Sequence, residues 1–135
     1  MNGILLDTHA LIWFYHDPAQ LSTSAHQRIE QACVNQSGQL FISVISLVEI
    51  RYLVERFRLP TQLEINIWAA LRDVSPLLQL VSLDVRMVER LEEIPRSVVN
   101  DMPDRIIAAT ALELGLPLIT KDEKIRQLTN IQVIW

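Results

Sequence analysis

The sequence predicts an α/β fold built on a central parallel sheet of about five strands flanked by helices. Three observations predict it. Short apolar runs alternate with longer stretches of helical periodicity. The runs themselves do not alternate polar with apolar, as expected of strands covered on both faces. Helix start and stop signals fall between the runs. With 135 residues, half of them hydrophobic, the chain is long enough for one domain, residues 1–135, with a proper core. There is no internal repeat, low-complexity segment or linker.

The elements follow in order. Ile4-Leu5-Leu6 is the first strand, and residues 8–15 are a short helix ended by Asp17-Pro18. Ser22, Thr23 and Ser24 offer N-caps for a helix over 25–34, which stops near 35–38. Residues 40–44 are the second strand. Ser46 opens a helix to Arg58, and Pro60-Thr61 opens another through Arg72. Residues 80–83 are the third strand, and Asp84 starts a helix to Glu93. Residues 103–114 form a helix with Gly115 just past its end and Pro117 beyond. Residues 118–120 are the fourth strand, 123–128 a brief helix and 131–134 the fifth strand.

Composition narrows the function. No apolar stretch is long enough to span a bilayer, and the N-terminus does not read as a signal peptide. Cys33 is the single cysteine, so no internal disulfide can form; a cytoplasmic location and a buried filler role for Cys33 are expected. A net charge of −4 disfavours a general nucleic-acid-binding module. It leaves room for a nuclease whose negative charge holds metal ions.

In parallel sheets ligands collect beyond the carboxyl ends of the strands. Asp7 follows the first strand, Glu49 lies one turn into the helix after the second, Asp84 follows the third and Asp122 the fourth. Asp101 and Asp104 flank the start of the helix leading to the fourth strand. Each has a structural explanation. Asp7, Asp101 and Asp122 are N-cap candidates, and Ser46-Leu-Val-Glu49 fits a capping box. As a group they say more. Like charges about 4 Å apart at intermediate dielectric repel by several kcal/mol. Such a cluster must protonate, stay hydrated or hold a cation, and all-oxygen donors suit Mg²⁺ or Mn²⁺. Zinc fits poorly: His9, His16 and His26 form no HExxH and there is no cysteine pair.

LLDTHALIW, SVISLVEI, DMPDRIIAATALELGLPLITKD and the closing IQVIW resemble PIN-domain ribonucleases, and among them the VapC-type toxins of toxin–antitoxin pairs. HDPAQLS and LEEIP add to the match, which runs over nearly the whole chain. The resemblance implies a PIN-like three-layer domain and metal-dependent endoribonuclease activity. It places the metal-binding and catalytic acids at Asp7, Glu49, Asp104 and Asp122, around one or two Mg²⁺ or Mn²⁺ ions. Asp7 and Asp104 are the foremost direct ligands. Glu49 and Asp122 bind directly or through water, or one of them orients the attacking water.

Thr120 matches a small hydroxyl residue that supports a carboxylate or a bound water; an ordinary strand-end threonine is the alternative. One stretch departs from the family's His-x-Asp-Pro-Phe-Asp-Arg: here it is Val99-Asn100-Asp101-Met102-Pro103-Asp104-Arg105. The histidine is absent and the proline lies one place later, while Asp-Arg is kept. Asp101 is therefore read as a cap or a residue behind the ligands. Arg105 and Lys121 are candidate grips on RNA phosphates, against the alternative of local charge balance. Trp13, Phe14, Tyr15, Phe57 and Trp68 read as core or interface residues before base-stacking ones, and Glu55, Arg56 and Arg58 as a solvated face. The resemblance also implies an antitoxin partner, lying as a helix between the helices at 46–58 and 61–72, and a homodimer.

Two other folds fail on the residues. A receiver domain needs paired acids after strand one and a lysine after strand five. A haloacid-dehalogenase-type phosphatase needs Asp-x-Asp where Asp7-Thr8-His9 stands. The remaining alternative is a non-catalytic PIN-fold module that contacts a partner protein; degraded acids would mark it, and all four are intact.

Overall fold

The computed structural model describes residues 2–34 and 39–135. Five parallel strands form one sheet: β1 (Ile4–Leu6), β2 (Leu40–Ser43), β3 (Leu78–Val81), β4 (Leu118–Ile119) and β5 (Val133–Ile134). Their order is β3-β2-β1-β4-β5, so β1 is central, with β2 on one side and β4 on the other. Register is set by pairs such as Leu6 with Ile42 and Leu6 with Ile119. Gly3 enters β1 at φ +146, where an added Cβ would stand 2.4 Å from the Gln39 carbonyl oxygen; only glycine lets the strands approach there.

The helices are α1 (Thr8–His16), α2 (Thr23–Val34), α3 (Val44–Glu55), α4 (Thr61–Leu71), α5 (Val85–Arg90) and α6 (Met102–Leu114). Strand residues alternate between two cores. Ile4, Leu6, Leu40, Ile42 and Ile119 pack with Leu11, Ile29, Ile50 and Ile67 of α1 to α4. Leu5, Phe41 and Leu118 pack with Ile107, Ala108 and Ala111 of α6. The sheet is thus covered on both faces, the three-layer arrangement expected. Truncating a fully buried residue such as Leu5 to alanine costs about 2–5 kcal/mol. Among the described residues no helix is long and apolar enough to cross a membrane.

Several boundaries move, each for a local reason. The α2 stop near 35–38 lies outside the described residues. β3 ends at Val81, and residues 123–128 shorten to a 3₁₀ turn at Ile125–Gln127. Helix α3 begins at Val44, because Ser43 accepts a hydrogen bond from the Ile45 N–H (3.2 Å). Ser46 is therefore inside the helix, and the capping-box reading of Ser46 and Glu49 is corrected. The same helix ends at Glu55. Phe57 adopts a left-handed φ of 58, and the Arg58 N–H closes on the Leu53 carbonyl at 2.9 Å. Glycine normally takes that position. Phe57 is 96% exposed, so it is no core residue. Trp13, Phe14 and Tyr15 do pack against the core. Cys33 is exposed, not buried filler.

Candidate active site

The sheet order brings the ends of β1, β2 and β4 together, and three of the four acids follow from that. Asp7 leaves β1 and caps α1. Its Oδ1 accepts from the Ala10 N–H at 2.8 Å, and its Oδ2 accepts from the Thr120 hydroxyl. The cap and site explanations of Asp7 thus hold together. The Thr120 Oγ1 also accepts the Asp122 N–H at 3.0 Å. Thr120 is fully buried, and its one hydroxyl fixes both the acid after β1 and the turn after β4. Asp122 Oδ1 takes the N–H groups of Lys124 and Ile125, each at 2.9 Å.

Glu49 is held by a relay absent from the sequence reading. The Thr8 hydroxyl donates to Glu49 Oε1 at 2.5 Å. Its other contact, 2.9 Å to the Ser46 Oγ, must then be one that Ser46 donates, since Thr8 has a single hydroxyl hydrogen. Thr8 and Ser46 are both buried. Thr8 was signalled only by its place beside Asp7; Ser46 was read as a cap.

Asp104 sits in the first turn of α6, where Asp101 caps the helix by accepting the Asp104 N–H at 3.1 Å. Among the described residues no donor reaches the Asp104 carboxylate. Burial, then the charges of Asp101, Asp122, Glu49 and Asp7, push its pKa from 3.8 up to about 7. Asp7 is raised chiefly by burial, against the lowering effect of the Thr120 and Ala10 hydrogen bonds. Glu49 is raised by burial too, against its Thr8 hydrogen bond. His9 lies near enough to favour the charged form of both Asp7 and Glu49. Among the described residues none of the four acids is ion-paired with Lys or Arg.

The donor set fits a hard divalent cation: carboxylate oxygens only, partly desolvated, and among the described residues not ion-paired with Lys or Arg. The expectation of a tight shared cage is corrected. Among the described residues no three acidic, imidazole or thiol groups stand within reach of one ion. Uncompensated like charges push one another apart. Mg²⁺ needs only one or two carboxylates directly and keeps several waters, so an open crevice of this kind remains a fitting one.

Other assignments change. Arg105 is occupied: its Nε donates to the Ile94 carbonyl (3.0 Å) and a terminal nitrogen to the Leu91 carbonyl (2.6 Å), tying α6 to the turn before it. The phosphate-grip expectation for Arg105 gives way to this structural one. Lys121 is exposed with its Nζ 5.8 Å from the Trp13 ring centre, beside Asp122. Asp84, after the edge strand β3, only caps α5 through the Arg86 N–H (2.9 Å) and pairs with the Arg86 side chain.

Residues 4–131 match the model of the PIN domain family. The chain is 33% identical over 126 residues to "Ribonuclease VapC22" of Mycobacterium tuberculosis, covering 93% of this chain and 92% of that one. Among solved structures it is similar to VapBC2 from Rickettsia felis bound to a DNA fragment from their promoter. The TM-score is 0.73 at 18% identity, over 97% of this chain and 96% of that one. It is also similar to a toxin–antitoxin complex from Klebsiella pneumoniae, with TM-score 0.66 at 22% identity over 98% and 96% of the two chains. A third is FitAcB from Neisseria gonorrhoeae, with TM-score 0.63 at 21% identity over 96% and 95%.

Proposed function

Because the chain belongs to the PIN-domain family, we propose that it is a metal-dependent endoribonuclease acting as the toxin of a toxin–antitoxin pair. One observation carries the reading. Asp7, Glu49, Asp104 and Asp122 lie close enough at the carboxyl end of the sheet to raise the Asp104 pKa, and among the described residues none is ion-paired with Lys or Arg. Folding has gathered negative charge there that the protein itself does not neutralise. The ribonuclease relative supports the substrate class. The toxin–antitoxin complexes among the structural neighbours support an antitoxin partner.

Asp7 and Asp104 would hold a Mg²⁺ or Mn²⁺ ion directly, and Glu49 and Asp122 would reach it directly or through water. When bound, the cation acidifies water and offsets negative charge at the attacked phosphate. The protein's part is positional. Thr120 and the Ala10 N–H fix both oxygens of Asp7. The Ser46–Thr8 relay fixes one oxygen of Glu49 and leaves the other to orient the attacking water and accept its proton. In the hydrolysis one P–O bond forms from water and one P–O bond to the neighbouring ribose breaks.

The test is cleavage of mixed cellular RNA with Mg²⁺ or Mn²⁺ by wild type, Asp7→Asn and Asp104→Asn. Wild type is expected to cleave, EDTA to stop it, and each variant to lose about 100-fold or more. Equal cleavage in all three, or cleavage that survives EDTA, overturns the mechanism. Metal binding without cleavage of any RNA indicates a non-catalytic module instead.

A further inference from the structure

A cavity of about 390 Å³ opens beside Glu49, with the apolar Ile45, Val48 and Leu53 in its floor. Glu49 is part of its wall, together with His9, Tyr52, Arg56, Met102 and Pro103. The helix α3 supplies Glu49 and Tyr52 at a spacing that shares one face, and Arg56 is the residue that caps its C-terminal end. At about 1.5 Å per residue, Tyr52 lies about 4.5 Å and Arg56 about 10 Å along the axis from Glu49. Bases stacked in a strand are about 3.4 Å apart, so this face spans a few nucleotide steps from the acids.

The chemistry of the wall is specific. Tyr52 is 57% exposed, and the Arg56 guanidinium lies 5.9 Å from its ring centre. His9 of α1 is exposed, its ring centre 5.6 Å from that of Trp13. On the same helix Arg51 is paired with Glu55 and Glu64. Among the described residues Arg56 is exposed and in no ion pair, as expected of a solvated face, and its guanidinium is free to meet a phosphate. Single-stranded RNA is recognised by splaying bases onto aromatic rings and guanidinium planes. The cavity shares Glu49 with the acids, and its size is in the range of small-ligand sites.

We propose that the cavity is a base-binding subsite that takes the unstacked base of the nucleotide next to the cleaved bond. Tyr52 is its stacking face, and Arg56 faces that nucleotide's phosphate. The inference rests on the ribonuclease reading above and makes Tyr52 and Arg56 determinants of cleavage position.

The experiment uses the full chain with Mn²⁺ and short single-stranded RNAs, each with one abasic nucleotide placed in turn around the cleaved bond. Tyr52→Ala is expected to raise KM about 5- to 150-fold, the value of one stacked base, with kcat within threefold. One abasic position should reproduce that loss in wild type and add nothing further in Tyr52→Ala. Tyr52→Phe should behave as wild type. Arg56→Gln should reduce the salt slope of RNA binding by about 0.7. A 2-aminopurine at the same position, bound to Asp104→Asn with Mn²⁺, should lose fluorescence, and Tyr52→Ala should restore it. Quenching without any cleavage by wild type keeps the subsite and removes the nuclease reading. Cleavage with wild-type KM and an unchanged abasic profile in Tyr52→Ala removes the subsite and keeps the nuclease. A Tyr52→Ala effect confined to binding of a protein partner overturns the subsite in favour of a peptide site.

Discussion

Replacing Asp104 with asparagine should stabilise the metal-free protein, and the effect should depend on pH. Folding raises the Asp104 pKa from 3.8 to about 7, through burial and then the neighbouring acids. An acid raised by folding keeps its proton in the folded protein where the unfolded chain has released it. Unfolding then releases a proton, so stability falls as pH climbs from about 4 to 7 and stays lower above that. At 1.36 kcal/mol per pKa unit, the gap bounds the cost at about 4 kcal/mol. Asp104 keeps part of its surface in water, and screening leaves about 1–2 kcal/mol. Against this, the charge near the α6 N-terminus contributes about 0.3–1 kcal/mol that asparagine loses. No hydrogen bond to the side chain is lost. The expected net gain is about 1 kcal/mol at pH 8 in EDTA, about 3 °C in Tm, vanishing or reversing near pH 4. Thermal unfolding of both proteins at pH 4, 6 and 8 decides it. A Tm loss of about 4 °C or more at pH 8 would refute the charge argument and make Asp104 a structural residue.

Thr120→Val should cost about 1–3 kcal/mol, since it strips the Asp7 carboxylate and the Asp122 N–H of a buried partner; Thr120→Ser should keep the wild-type denaturant midpoint. Arg105→Ala should cost about 1–3 kcal/mol by orphaning the Ile94 carbonyl and leaving the Leu91 carbonyl with only the Ile94 N–H, while the salt slope of RNA binding stays as in wild type. A wild-type Tm with a slope reduced by about 0.7 would return Arg105 to the phosphate. Phe57→Gly should raise stability by about 1 kcal/mol in urea unfolding, because a non-glycine residue pays for the left-handed turn after α3. Saturating Mg²⁺ or Mn²⁺, at about 100 times Kd, should stabilise wild type by about 2.7 kcal/mol and leave the Asp7→Asn, Asp104→Asn double variant unmoved in differential scanning fluorimetry.

The strand–helix alternation was plain in the sequence because each strand is a short uninterrupted apolar run covered on both sides. Asp7, Glu49 and Asp122 were nominated by position after a parallel strand, but the same rule nominated Asp84, which only caps α5, and Asp104 at the start of α6 needed the family resemblance. Partner choice within the site was not. Whether Ser46 caps a helix or supports an acid turns on a two-residue difference in where α3 starts, and Ser43 took the cap first. Arg105 follows Asp104 in sequence, yet helical geometry sends it back to carbonyls 11 and 14 residues earlier. Phe57 looked like core by composition; only the backbone shows that it occupies a glycine's position. The cavity beside Glu49 draws on α1, α3 and α6, a juxtaposition no local pattern announces.

The hydrogen bond from Thr120 to Asp7 joins residues 113 positions apart. Its formation needs β4 to have docked beside β1. A nascent chain that has finished α1, α2 and even α4 therefore lacks both the hydroxyl that orients its first acid and the last acid itself. The acid after β1 and the acid after β4 are thus oriented by one hydroxyl only once the sheet has closed from its first strand to its fourth.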